Sequence, residues 1–198
     1  MSHNLLITGG AGFIGTNFVH FWLERHPRDR LIVLDALTYA GNKGNLEIFL
    51  GRENVVFVNG SICDQGLVER LFTEYEIDRV VNFAAESHVD RSIAGPDDFV
   101  NTNILGTYIL LKVAKINWLD NSVCNHLFHH VSTDEVYGSL QPEEAAFTET
   151  HPYAPNSPYS ATKAASDHLV RSYNKTYGLK VTTSNCSNNY GAFQFPEK

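Results

Sequence analysis

Long apolar runs are missing from this chain. No stretch approaches the roughly 20 apolar residues that a bilayer-spanning helix needs, so no membrane span is expected. Runs of Lys or Arg are missing too. Lys and Arg total 15 against 22 Asp and Glu, for a formal net charge of −7. Nucleic acid and anionic membrane surfaces are therefore not expected as main partners. Cysteine is scarce: Cys63, Cys124 and Cys186 are odd in number, scattered, and form no C-x-x-C. That excludes a disulfide framework and points to reduced thiols in a cytoplasmic protein. A glycine-rich loop begins at Gly9, which leaves no room ahead of it for a signal peptide. No internal repeat and no low-complexity segment is visible.

What is present suits one globular domain. The 198 residues are 43% hydrophobic and 19% charged, enough for a real core. A short apolar run at 5–8 leads into Gly9-Gly10-Ala11-Gly12-Phe13-Ile14-Gly15. This G-x-x-G-x-x-G pattern follows a strand and opens a helix expected over 13–25. Its glycines permit a tight turn and close approach of backbone to a diphosphate, and the helix start offers free N–H groups. A second strand over 30–34 ends at Asp35, which lies where a ribose-binding carboxylate belongs. Ala36, Leu37 and Thr38 supply no cation for a 2′-phosphate, so NAD is expected rather than NADP.

Further elements alternate. A strand at 54–58 precedes an amphipathic helix over 65–75 with Leu67, Val68, Leu71 and Phe72 inward. A strand at 79–85 ends in small residues, with Glu86, Ser87 and His88 on the loop after it. Asp97 or Asp98 is expected to cap a long helix to Trp118, whose apolar stripe includes Val100, Ile104, Tyr108, Leu111 and Ala114. A strand at 127–131 is followed by a Pro- and Glu-rich loop over 141–158, long enough to be functional. A helix over 159–177 stops at Gly178, and a sixth strand covers 180–184. The alternation predicts an α/β fold: a Rossmann-type, doubly wound parallel sheet with helices on both faces.

The chemistry gathers where the fifth strand ends. Ser132-Thr133-Asp134-Glu135 puts two acids at a strand end, where an open α/β sheet places ligand chemistry. Tyr159 and Lys163 stand at i and i+4, on one helix face. An ammonium there would lower the tyrosine pKa and suit it to take a hydroxyl proton. Lys163 could also hold a nicotinamide ribose. His126, His129 and His130 do not make a metal site, because neighbouring strand side chains face opposite ways. Glu86, His88 and Asp90 read as loop structure and substrate contact, and no metal is expected.

The glycine loop, Asp35, Thr133, Tyr159 and Lys163 resemble the extended short-chain dehydrogenase/reductase superfamily. Within it, residues 132–138 (STDEVYG), 84–92 (AAESHVDRS) and 188–191 (NNYG) closely resemble the dTDP-glucose 4,6-dehydratase family. The resemblance covers the whole chain and implies NAD-dependent conversion of dTDP-glucose to dTDP-4-keto-6-deoxyglucose, feeding deoxysugar (for example rhamnose) and cell-surface polysaccharide synthesis. By it, Tyr159 takes the C4 hydroxyl proton and Thr133 hydrogen-bonds the C4 oxygen. Glu135 takes the C5 proton, and Asp134 protonates the leaving C6 hydroxyl. Gly9, Gly12, Phe13, Ile14, Gly15, Asp35, Ala36, Leu37, Thr38, Ser61, Ile62, Phe83, Ala84, Ala85, Thr102, Tyr159, Lys163 and Asn189 would line the NAD site. Ser87, Thr133 and Asn188 would touch substrate. Ser61 stands where the family usually has an acid, so its adenine contact loses charge assistance. The resemblance also implies a homodimer through the helices near 98–118 and 159–177.

The family carries a second, nucleotide-sugar-binding lobe after the Rossmann domain. Residues 1–198 read as the NAD-binding Rossmann domain with the catalytic residues, and the chain stops at Phe195-Pro196-Glu197-Lys198 with that lobe largely absent. A fragment that binds NAD but turns over poorly is therefore expected. Two other readings stay open. One is a UDP-glucose 4,6-dehydratase or a sugar-nucleotide epimerase, the latter disfavoured by the Asp134-Glu135 pair. The other is a non-catalytic NAD-binding module.

Overall fold

The computed structural model describes residues 2–194, so the closing residues 195–198 lie outside it. Six parallel strands form one sheet in the order β3-β2-β1-β4-β5-β6. They are β1 (Asn4–Thr8), β2 (Arg30–Asp35), β3 (Val55–Asn59), β4 (Arg79–Asn82), β5 (Leu127–Thr133) and β6 (Val181–Cys186). The order reverses between β1 and β4, and that switch point is where doubly wound sheets bind ligands.

The strands are apolar on both faces because helices cover both. On β1, Leu6 faces one core while Leu5 and Ile7 face the other; on β2, Ile32 and Leu34 oppose Leu31 and Val33. All three β1 side chains are fully buried, each worth about 1.5–3 kcal/mol of transfer free energy. One face packs against α2 (Gln65–Tyr75), α5 (Thr107–Trp118) and α6 (Pro158–Tyr177). The other packs against α1 (Phe13–Arg25) and a 3₁₀ segment, Lys43–Phe49.

Local chemistry sets the helix ends. Asp64 caps α2 by accepting from Leu67 N–H at 2.9 Å. Ser157 and Ser160 form a capping box on α6, Pro158 opens it, and Gly178 closes it in the left-handed region at φ 77°. The expected bounds of α1 and α2 hold.

Three expectations change. The fourth strand ends at Asn82, not Ala85, because Phe83 onward has left the sheet to pass over the glycine loop. The loop at 86–88 leads into an extra short helix, α3 (Val89–Ala94). The long helix toward Trp118 is broken: α4 (Asp97–Phe99) follows Pro96, neither acid caps it, and Val100–Gly106 is π-helical before α5 begins. A π turn is wider than an α turn, so it rotates residues on either side out of phase. Leu111 and Ala114 are buried as expected, whereas Val100 and Tyr108, from the same stripe, are exposed.

Candidate active site

A cavity of about 630 Å³ lies along the C-terminal edge of the sheet, over the switch point. The glycine loop forms its floor. Gly9 has φ +67°, and a Cβ there would come within 2.7 Å of Ala84 N. A Cβ on Gly15 would run into the Gly9 carbonyl oxygen, so α1 packs this closely only because the residue is glycine. Gly12 at the α1 N-cap has no side chain to satisfy the first-turn amides, which leaves them to an anion.

Asp35 ties this floor to the next strand. Its Oδ2 accepts from Ala11 N–H at 2.9 Å and its Oδ1 from Leu37 N–H at 2.8 Å. A carboxylate has about four lone-pair sites, so two remain for hydroxyl donors in the cavity. Thr38, Ser61 and Ile62 line the adjoining wall. Leu37 does not: it packs into the apolar core beneath and contributes only its amide.

The opposite wall carries the reactive groups. β5 delivers Ser132 and Thr133, and the 3₁₀ turn Asp134–Tyr137 follows directly. Thr133 Oγ1 caps that turn by accepting from Glu135 N–H at 3.2 Å. Glu135, Tyr159 and Lys163 join Thr133 on the cavity surface. Asp134 does not reach it and turns back toward Thr133, whose hydroxyl donates to it at 3.4 Å. Ser87, Asn188 and Asn189 complete the rim, with Ala84, Ala85 and Thr102 beside them. The expected residues thus share one cavity, Leu37 and Asp134 excepted.

The electrostatics differ from expectation at Tyr159. Burial, then the Glu135 carboxylate, push its phenol well above the usual range, while a hydrogen bond with Thr133 pulls the other way. Lys163 donates instead to the Val131 carbonyl at 2.7 Å. Burial lowers Lys163 to about 8, opposed by Asp167 and Cys186. Glu86, also on the wall, is raised by burial and then by Asp98, with Arg91 opposing. Asn103, in the π-helical turn, fixes that stretch: its Oδ1 accepts from Glu86 N–H at 2.9 Å. Its Nδ2 donates to Glu86 O at 3.0 Å and to Thr162 Oγ1 at 2.9 Å.

Several contributors were not singled out from sequence. Tyr39 and Cys186 line the cavity, and the Arg91 guanidinium stacks 3.9 Å from the Tyr39 ring centroid. No spacing links these positions. The three histidines go to structural work. His126 faces the Val123 carbonyl, His129 faces Thr182, and His130 is buried beside Asn82 and Ser166. No cluster of three or more His, Cys, Asp or Glu that could hold a metal occurs among the described residues. Nor is any described helix long and apolar enough to cross a membrane.

Fold and site together define a Rossmann-type protein of the short-chain dehydrogenase/reductase kind, with a Tyr-x-x-x-Lys pair and a glycine loop lining one cavity. The sequence pattern of the GDP-mannose 4,6 dehydratase family matches residues 6–198, and the chain belongs to that family. A dTDP-glucose 4,6-dehydratase of Xanthomonas campestris is 58% identical over 98% of this chain and 55% of its own length. The dTDP-glucose 4,6-dehydratase DesIV of Streptomyces venezuelae, solved with NAD bound, superposes with a TM-score of 0.90. It is 50% identical, over 98% of this chain and 59% of that one. The Bacillus anthracis enzyme of the same name, in complex with NAD, gives 0.86 at 45% identity, covering 100% and 58%. The resemblance to dTDP-glucose 4,6-dehydratases is borne out in these relatives. The chain spans a little over half the length of each.

Proposed function

We propose that this chain supplies the cofactor-binding and catalytic part of an NAD-dependent dTDP-glucose 4,6-dehydratase. One observation carries the reading: Thr133, Glu135, Tyr159 and Lys163 meet on the wall of one cavity, facing a glycine loop and Asp35. The loop positions that only glycine can fill and the amide-pinned carboxylate fit a dinucleotide. Gly9, Gly12 and Gly15 would admit the pyrophosphate, Asp35 the adenosine ribose, and Ser61 and Ile62 the adenine. NAD, when bound, would accept a hydride from C4 of the sugar and later return it to C6.

The chain's own groups manage the protons. Tyr159 accepts the C4 hydroxyl proton while Thr133 holds the oxygen. Burial disfavours the phenolate that must be present to accept that proton, so a cation one helical turn along, at Lys163, is required. Glu135 removes the C5 proton, made acidic by the new ketone. Asp134 turns from Thr133 to protonate the departing C6 hydroxyl. Ser87 and Asn188 orient the sugar. A proton returns to C5 as C6 is reduced, so the net change is loss of one water.

Two further proposals accompany this. The exposed Val100, Leu105, Tyr108, Ile116 and Tyr177 lie on or beside the helices near 98–118 and 159–177 and support a homodimer; light scattering of the purified chain tests it. The three free cysteines fit a reducing cytoplasm.

The decisive test joins residues 1–198 to the remaining length of the Xanthomonas relative and supplies dTDP-glucose or UDP-glucose. Mass spectrometry should find dTDP-glucose one water lighter. Loss of water from neither sugar sinks the reading, and preference for UDP-glucose moves it to the other nucleotide. The 198-residue chain alone should bind NAD and turn over poorly; turnover at ordinary enzymatic rates would overturn that part.

A further inference from the structure

One buried carboxylate stands outside the reaction scheme. Asp167 lies one turn beyond Lys163 on α6 and is 5% exposed. Three segments converge on it. Its Oδ2 accepts from Ser132 Oγ of β5 at 2.8 Å, from Tyr153 OH of the loop before α6 at 2.9 Å, and from Asn185 Nδ2 of β6 at 3.3 Å. Its Oδ1 lies 3.4 Å from His130 Nε2 but makes no aligned hydrogen bond.

None of these donors brings a charge. Asn82 Nδ2 faces His130 Nδ1 at 3.2 Å, so Nδ1 accepts and the proton sits on Nε2. Burial, then the Lys163 charge, lower His130 to about 4, which leaves it neutral at ordinary pH. The other ionisable groups around the pocket include Tyr137 on the 3₁₀ turn, Tyr153 on the loop, Cys186 on β6, Glu149 beside Tyr137, and Asp134, Glu135 and Tyr159 beyond. The imidazoles of His129, His151 and His168 lie further out, against His130, Tyr137 and Tyr153. Apart from these imidazoles, the groups are neutral or negative. Among the groups so placed, the cation is Lys163.

Lys163 is as deeply buried, at 3% exposed. Of its three donor positions, one goes to the Val131 carbonyl. A buried ammonium and a buried carboxylate are each costly alone, and each offsets the other.

We propose that Asp167 is a positioning residue: its carboxylate keeps Lys163 an ammonium one helical turn from Tyr159 while holding Ser132 and the 138–157 loop in place. This rests on the Tyr159–Lys163 reading above. The balance of forces supports it. Asp167 is the foremost influence holding Lys163 up against burial. Burial would raise Asp167, yet His130, Ser132 and Lys163 overcome it and leave its carboxyl below the usual range. A purely structural Asp167 would pin the loop but leave the charge of Lys163 alone.

The test is an NMR titration of the 198-residue chain, so it stands or falls apart from any dehydratase assay. With ¹³Cε-labelled lysine, the Lys163 resonance is assigned by its loss in Lys163→Met. It should titrate near pH 8 in the unaltered chain, and about one pH unit or more lower in Asp167→Asn. Ser132→Ala and Tyr153→Phe should leave it in place. The reciprocal measurement needs no change at Asp167: in Lys163→Met, the ¹³Cγ resonance of Asp167 should titrate at higher pH than before. An unshifted Lys163 in folded Asp167→Asn, an unshifted Asp167 in Lys163→Met, or a neutral Lys163 at pH 7 in the unaltered chain overturns the proposal. If Asp167→Asn does not fold, the reciprocal titration decides.

Discussion

Asp35, at the end of β2, accepts a 2.9 Å hydrogen bond from the backbone N–H of Ala11, on the loop after β1. The acid expected to read a ribose is therefore also the clasp of the glycine loop. Asp35→Ala strips the acceptor from two backbone amides, Ala11 and Leu37. A lost buried partner costs about 1–3 kcal/mol. The variant should melt several degrees lower and bind NAD at least about tenfold more weakly, which is 1.4 kcal/mol. Calorimetry and fluorescence titration check the two. Unchanged melting with weaker NAD would assign Asp35 to the ligand alone.

Gly15 meets the Gly9 carbonyl oxygen so closely that no Cβ fits between them. Gly15→Ala should push α1 away from the loop and cost about 1–3 kcal/mol as an overpacking change. Urea denaturation reads this directly. Gly51, with open space around it, is the control: Gly51→Ala should change stability little.

Arg91 and Tyr39 stack, cation over ring, at 3.9 Å. Tyr39 lines the cavity, whereas Arg91 is on α3. Such a pair near solvent is worth about 0.5–1 kcal/mol. Arg91→Ala and Tyr39→Leu should each speed NAD release by a few-fold, and the double variant should add nothing further. Tyr39→Phe should behave as the parent. Stopped-flow dissociation measures all four; additive effects would dissolve the pairing.

His130 carries a pH prediction. Burial, then the Lys163 charge, lower it to about 4 from the ordinary 6.5. Between those values the unfolded chain takes a proton that the folded chain refuses, so stability falls as pH drops from 6.5 toward 4. The difference amounts to about 3 kcal/mol at the bottom of that window. Asp167, with its carboxyl held low, adds its own loss only below the ordinary carboxylate pKa. Urea unfolding between pH 4.5 and 7 should show this slope, and His130→Gln should flatten it.

The parts of the fold that are legible in sequence are those set by neighbours in the chain. Alternation of strand and helix, the glycine loop, and the ends of α1 and α2 follow from local rules. The order β3-β2-β1-β4-β5-β6 was decided only by which strands meet in space. The π-helical turn at Val100–Gly106 was not legible. Nothing local demands it; Asn103 uses it to reach Glu86 and Thr162, which belong to other elements.

The site divides the same way. Thr133, Glu135, Tyr159 and Lys163 could be named because motif spacing along one strand and one helix face brings them together. What surrounds them could not. Asp134 and Glu135 are adjacent in sequence, yet only Glu135 reaches the cavity, because the 3₁₀ turn sends consecutive side chains apart. Sequence by itself determined which groups this protein carries, and the spacing that lets Tyr159 and Lys163 share a face. Only the tertiary structure decided their charge. Burial, Glu135 and Asp167 act through space, from segments up to tens of residues away, and a pKa depends on what surrounds a group rather than on what precedes it.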